Sequence, residues 1–456
     1  MRRPNPILAF LAMLAFVASG YPSSSFEAAA VAPAERQTRW LTRTIQISIS
    51  DSLTPTAAGI RPGSDVEGAI KGALASWTKA AGITFIEVDS NLLSISPSGA
   101  GDGVSLITIA PTPENLAVFS EGNTTARTRV FYDPDTGAIN EADIVLNPYP
   151  YGWDGLPLEF STDGTPGSYD LESTLAHEIG HLLGLTHSSV IGSTMQSSQG
   201  LNGTYGLAAL MERSLSEVDR VAVRNVYGPC GGLGSVRGRI LNSVDGRLLP
   251  VQSAHVWLED AQTGRVIASG LTTSGGTFRI GCVVPANYRV MIEYLDGTPA
   301  DPFALTGWVS AKAGVGRRAF RSVEINGLLR VEGDKVAQLN YVFVPPQNGL
   351  PLVNPRFLGA NGELSTVPVP VKAGSSLTIF VGGEGVDRVP GSGLQVTSPF
   401  ITVDAASLTA QRSSSTAMIS FEITVGEDAP AGDYTIRFQS YSGEVAYLAG
   451  GLTVYR

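Results

Sequence analysis

The chain has 456 residues, 43% of them hydrophobic and 16% charged. This composition is globular and too long for one domain of roughly 150 residues. A net charge of −10 excludes the basic surface that nucleic acid or an anionic membrane would require. The 52 glycines and 28 prolines imply many turns and therefore much β structure.

Arg2 and Arg3 precede an apolar run from Ile7 to Val17, followed by the small residues Ala18, Ser19 and Gly20. Residues 1–20 therefore read as a signal peptide. The rival reading is an uncleaved anchor, but the run is shorter than the ~20 residues of a spanning helix. No later segment is long and apolar enough to cross a membrane. Export is expected, to the periplasm, the cell surface or the medium. Residues 21–38 read as a linker or a short propeptide.

Trp40 opens the folded part. Thr44 to Ser50 alternates polar and apolar residues, as a half-buried strand does. From Asp65 the spacing of Val66, Ile70, Ala73, Leu74 and Trp77 predicts a helix, with Trp77 as a core anchor. Ile83–Val88, Val104–Ile109 and Val130–Tyr132 read as strands. A further helix is predicted from Asp170 to Leu183. Ser216 with Asp219 marks the capped start of another, leading to Tyr227-Gly228.

The helix from Asp170 and the turn after it carry three of the chain's four histidines. His177 and His181 are four apart and share one helix face, so both can reach one ion. Glu178 lies about 100° around the helix, which suits a base beside the metal better than a ligand. Gly184 lets the chain turn and brings His187 back as a third ligand. Three nitrogens with one open position are the catalytic form of a zinc site.

The run His177-Glu178-x-x-His181-x-x-Gly184-x-x-His187 resembles the signature of the metzincin zinc endopeptidases. Ser188 after the third histidine is usual in the matrixin branch. Ser193-Thr194-Met195 is similar to the family's Met-turn, which places Met195 under the metal as a support. Gly137 to Asn147 is similar to the strand preceding the zinc helix in bacterial matrixin-like proteases. Over residues 39–229 the resemblance implies an α+β zincin domain, with a twisted sheet and long helices. It implies that the strand at Phe131 and Tyr132 pairs with an extended substrate, although both residues fit a core equally well. It implies that Gln196 to Arg213 walls the specificity pocket.

Two departures from the family stand out: the histidines upstream of the motif are missing, and Gln196 stands after the Met-turn where the family often has aromatic and Pro residues. No histidine precedes His177, so the second, structural zinc of many animal matrixins has no counterpart. Instead Asp133, Asp135, Asn140 and Asp143 form an oxygen-rich stretch suited to calcium or to a solvated turn. Both cysteines, Cys230 and Cys282, follow the zinc motif. A cysteine switch is therefore absent, and in an exported protein the pair is expected to form a disulfide.

After Gly231-Gly232, short alternating runs separated by turns suggest a β-sandwich over residues 233–344. It resembles carboxypeptidase-regulatory-like and transthyretin-like modules. Here Ala254, Val256 and Leu258 face the core, which puts His255 outward in solvent. Val344 to Gly349 reads as a stiff linker. Residues 350–456 read as a second, immunoglobulin-like sandwich.

The leading expectation is an exported zinc endopeptidase acting on protein or peptide substrates, with Glu178 as general base. The alternatives are a surface adhesion or binding protein with a vestigial metal domain, and a processing enzyme of narrow specificity. The two β modules are expected to grip a cell surface, a polysaccharide or a protein.

Overall fold

The computed structural model describes residues 37–99, 101–119, 124–152, 155, 157–207, 213–295, 319–347, 352–412 and 417–456. The expected signal peptide lies outside these residues, as do positions 208–212 of the expected pocket wall.

The amino-terminal part is a five-stranded mixed sheet covered by helices. Strands β1 (Thr44–Ser50), β2 (Thr84–Ser90), β3 (Leu106–Thr108), β4 (Ala126–Tyr132) and β5 (Ile139–Leu146) are arranged β2-β1-β3-β5-β4. All neighbours are parallel except β4, which runs antiparallel to β5. β4 therefore forms one edge of the sheet. A short parallel pair, β6 (Phe160–Ser161) and β7 (Tyr169–Asp170), leads into the helix of the histidine motif.

Four α-helices occur among the described residues: α1 (Val66–Ala81), α2 (Pro113–Ala117), α3 (Leu171–Leu182) and α4 (Glu217–Tyr227). The longest has 16 residues, so the expected long helices are not found and the chain is mostly β. No described helix is long and apolar enough to cross a membrane. Each of the three principal helices has a side-chain cap, from Asp65, Asp170 and Ser216 respectively. These acceptors satisfy amide groups that the first helical turn leaves unpaired. Trp77 of α1 is fully buried and donates its indole N–H to Ala176 O of α3 at 2.8 Å. This bond pins the two helices together directly beneath the histidine motif.

The middle part, from strand Gly234–Val244 onward, has two facing sheets. The carboxy-terminal part, from strand Asn354–Ala360 onward, also has two. Each has its own hydrophobic core. The cores nevertheless borrow residues from the amino-terminal part: Val221 of α4 enters the middle core, and Tyr205 enters the carboxy-terminal one.

His255 requires a correction. It is 1% exposed, its Nδ1 lies 2.8 Å from Glu293 Oε1, and its ring stacks on Trp257 with centroids 4.9 Å apart. Ala254, Val256 and Leu258 do line the middle core. The opposite face of their strand is not solvated, because Trp257 and Met291 pack with Val190, Val218, Tyr447 and Ala449 from the other two parts. Alternation reveals which residues share a face. It does not reveal whether a second layer covers the other face.

Cys230 and Cys282 form a disulfide with Cα atoms 5.0 Å apart and a sequence separation of 52. It ties the chain just after α4 to strand Thr277–Val283. A closed loop of this length restricts the unfolded chain by up to about 4 kcal/mol. We expect reduction, or the double Cys→Ser variant, to remove about 2–4 kcal/mol of stability, read as a lower urea midpoint.

Candidate metal centre

The helix α3 buries Leu171, Leu175, Ile179 and Leu182 against the sheet and α1. That fixes its rotation and turns His177 and His181 to the opposite side, partly exposed. The helix ends at Leu183. Its last carbonyls find partners elsewhere: Trp40 Nε1 donates to Leu182 O at 2.9 Å, and the Tyr227 hydroxyl donates to Leu183 O at 2.7 Å. Gly184 follows with φ +91°, and a Cβ placed there would lie 2.3 Å from Thr38 O. Glycine is required on both counts. The turn it makes carries His187 back over the helix.

The three histidines then converge. Their Nε2 atoms are separated by 3.1 Å (His181 to His177), 3.1 Å (His181 to His187) and 3.2 Å (His177 to His187). Among the described residues this is the sole cluster of three or more His, Cys, Asp or Glu ligand atoms. His177 Nδ1 lies 2.8 Å from Thr194 O, and His181 Nδ1 lies 2.8 Å from Leu185 O. A carbonyl only accepts, so each Nδ1 carries the proton and each Nε2 presents a bare lone pair. Two such lone pairs cannot bond one another. Desolvation first, and the neighbouring histidines second, push His181 down to about 3 and also lower His187. These rings are thus held neutral and acceptor-ready.

That donor set fits a zinc ion. Tetrahedral ligands about 2.0–2.1 Å from zinc would sit about 3.3 Å apart, close to the separations seen. The carbonyl partners at Nδ1 are the outer-shell contacts that orient metal-bound imidazoles.

Glu178 lies on α3 beside the triad and is 5% exposed. Its Oε2 accepts a hydrogen bond from Thr128 Oγ1 on edge strand β4, and the same hydroxyl lies 3.1 Å from Glu178 O. Phe131 and Tyr132 lie farther along that strand, both half-buried, with Tyr132 packed on the core.

Met195 is buried and packs on α3. A Cβ at Gly180 would meet Met195 Sδ at 2.2 Å and Trp77 Cζ2 at 2.9 Å. A glycine inside the histidine motif therefore lets the methionine approach. The Met195 turn is held by Asp219 of α4. Its carboxylate accepts from Thr194 N at 2.7 Å, Met195 N at 3.2 Å and Ser216 N at 3.0 Å, and from the Ser193 hydroxyl. Ser188 N closes the turn onto Met195 O at 2.8 Å.

Sequence reasoning identified Asp219 as part of a helix cap, a role it does fill, but missed its hold on the Met195 turn. Thr128 was missed because the predicted strand began two residues after it. We expect Asp219→Ala to cost about 3 kcal/mol by orphaning buried amides and to weaken metal retention. Asp219→Asn, which keeps one acceptor oxygen, should fall between. Thermal melting with and without metal checks both.

The oxygen-rich stretch does not assemble. Asp133 Oδ1 accepts from Asp135 N at 2.7 Å and Thr136 N at 2.9 Å, capping a hairpin turn. Asp143 is buried on β5, where its two oxygens accept from Ser96 N at 2.8 Å and Leu106 N at 3.0 Å. Burial pushes its pKa up to about 7. Nothing here supports a calcium ion. These acidic side chains serve the backbone instead.

Residues 117–228 match the matrixin peptidase family profile. Roughly a quarter of the chain is matched, and it contains the whole histidine cluster, Glu178, Met195 and Asp219. The match supports a matrixin-like metallopeptidase domain in this segment, and that family is zinc-dependent. No curated protein matches the chain. Among solved structures, the minor pilin GBS52 of Streptococcus agalactiae is 9% identical, with 27% of this chain and 49% of that chain covered and a TM-score of 0.16. A putative carbohydrate binding protein from Bacteroides uniformis is 16% identical, covering 48% and 96%, with a TM-score of 0.17. The mixed-linkage glucan protein SGBP-B of Bacteroides ovatus, solved with a heptasaccharide, is 14% identical, covering 50% and 44%, at 0.18. The chain spans about half the length of the first of these. At such scores none bears on function.

Proposed function

We propose that the protein is an exported zinc endopeptidase. The observation that carries this reading is the meeting of three histidine Nε2 atoms, 3.1–3.2 Å apart, beside a buried carboxylate. His177, His181 and His187 would hold the ion. Zinc bound there supplies Lewis acidity toward a peptide carbonyl and toward water.

The chain's own residues do the rest. Glu178 takes a proton from the attacking water at its carboxylate and returns it to the leaving amine. Thr128 orients that carboxylate through its hydroxyl. The edge strand β4 offers backbone groups to an extended peptide, which would bind by adding a strand. Phe131 and Tyr132 then lie along the bound substrate. Met195, held by Asp219, supports the histidines from below. The Cys230–Cys282 bond suits an oxidising compartment.

The test is hydrolysis of a quenched-fluorescence peptide library and of unfolded casein, with zinc content measured in parallel. Cleavage that tracks zinc content supports the reading. Stoichiometric zinc without cleavage of any member would turn it toward a binding protein.

A further inference from the structure

The segment following Met195 is not held by its own domain alone. Tyr205 is 1% exposed and adopts φ +59°, a backbone state a tyrosine rarely takes. Four contacts impose it, all from the carboxy-terminal module. Tyr205 N donates to Glu363 Oε2 at 2.8 Å, and its carbonyl accepts from Asn361 Nδ2 at 2.7 Å. Its hydroxyl reaches Leu358 O at 2.9 Å and Val367 O at 3.0 Å. The ring joins that module's hydrophobic core. A second contact lies before Met195, where Ile191 N donates to Ala449 O at 2.8 Å. The carboxy-terminal module thus grips the chain on both sides of the Met195 turn.

Between these two attachments lies a cleft of about 290 Å³. His177, Leu201 and Leu215 line it from the catalytic domain, and Pro368, Pro370 and Val454 line it from the carboxy-terminal module. Apart from the histidine these six are apolar, while Arg265 and Val266 of the middle module and Asp433 and Arg456 of the carboxy-terminal module also border the cleft. Arg220 also lines the cleft, but it is paired with Glu217 at 2.8 Å. The volume approaches the low end of ligand pockets, about 300 Å³, which is room for a bulky side chain. Because His177 lines the cleft, a residue placed there adjoins the scissile bond.

We propose that the carboxy-terminal module is a specificity-determining part of the peptidase, an inference that rests on the reading above. It fixes Gln196–Leu207 through Tyr205 and supplies one apolar wall of the cleft. A bulky apolar side chain next to the scissile bond is then read by both modules. The module is not a tether appended to a self-sufficient catalytic domain.

The test uses the full chain and two measurements. First, kcat/KM is compared for peptides that differ only in one residue flanking the scissile bond, tested on each side of it, leucine against alanine. The preference for leucine should fall at least about tenfold in Pro368→Trp, which narrows the cleft. It should fall by a smaller factor in Tyr205→Phe, which keeps the ring and frees two carbonyls, with zinc content unchanged in both. An unaltered preference in both variants overturns the proposal. Second, calorimetry compares zinc-chelating hydroxamates bearing an isobutyl or a methyl group, which needs no hydrolysis. If nothing is cleaved yet Pro368→Trp abolishes the isobutyl preference, the peptidase reading fails and the cleft assignment stands. Equal affinity of the two compounds for the wild type overturns the cleft assignment, whatever is cleaved.

Discussion

Glu178→Ala is expected to keep its zinc and lose hydrolysis. The metal-sized ligand cluster comprises the three histidines without Glu178, whose carboxylate is bonded to Thr128 on β4, so its removal subtracts no ligand. General acid–base assistance of the kind assigned to Glu178 contributes about 10²–10⁴-fold, and kcat should drop by that factor. His181→Ala provides the contrast. It removes a ligand, and the remaining two nitrogens no longer define the site, so zinc and activity should disappear together. Metal content by mass spectrometry, read beside kcat, separates the two roles. Zinc loss in Glu178→Ala, or unchanged kcat, would contradict the assignment.

Gly184→Ala should damage both stability and metal affinity. The new Cβ meets Thr38 O at 2.3 Å, and the residue would hold φ +91°. Strain at such a φ costs about 1–3 kcal/mol, and the backbone clash adds about 1–3 kcal/mol of overpacking. The turn also sets two ligands at once. Leu185, just beyond it, offers the carbonyl that orients His181 Nδ1, and His187 hangs from the same segment. Misplacing groups of this kind weakens metal binding by about 10–100-fold. Chelator competition and urea unfolding should show both losses. A variant that melts later with zinc, but by less than wild type, fits this account; normal zinc affinity would not.

The helix caps and the histidine cluster were legible in the sequence because they are local. Asp65, Asp170 and Ser216 start the helices where their side chains can cap them. The Thr44–Ser50 alternation gave a strand with those bounds. The spacing of His177, His181 and His187 brought one metal-sized cluster together. The features that were missed depend on distant chain. Asp219 holds the Met195 turn across a gap of 24 residues, and nothing near it in sequence signals this. His255 was placed in solvent because alternation cannot see the layer formed by Val190, Val218 and Tyr447. The acidic stretch around Asp133 looked like a cation site because oxygen-rich turns and calcium loops share a composition. Only geometry shows that these carboxylates serve backbone amides. Tyr205 gave no signal either, since its partners lie over 150 residues downstream.

The most direct measurement is casein hydrolysis by the full chain before chelation, after removal of metal, and after addition of one equivalent of zinc. The account predicts activity that disappears with the metal and returns with that single equivalent. Hydrolysis that survives metal removal, or a protein that binds one zinc and cleaves nothing, would contradict it.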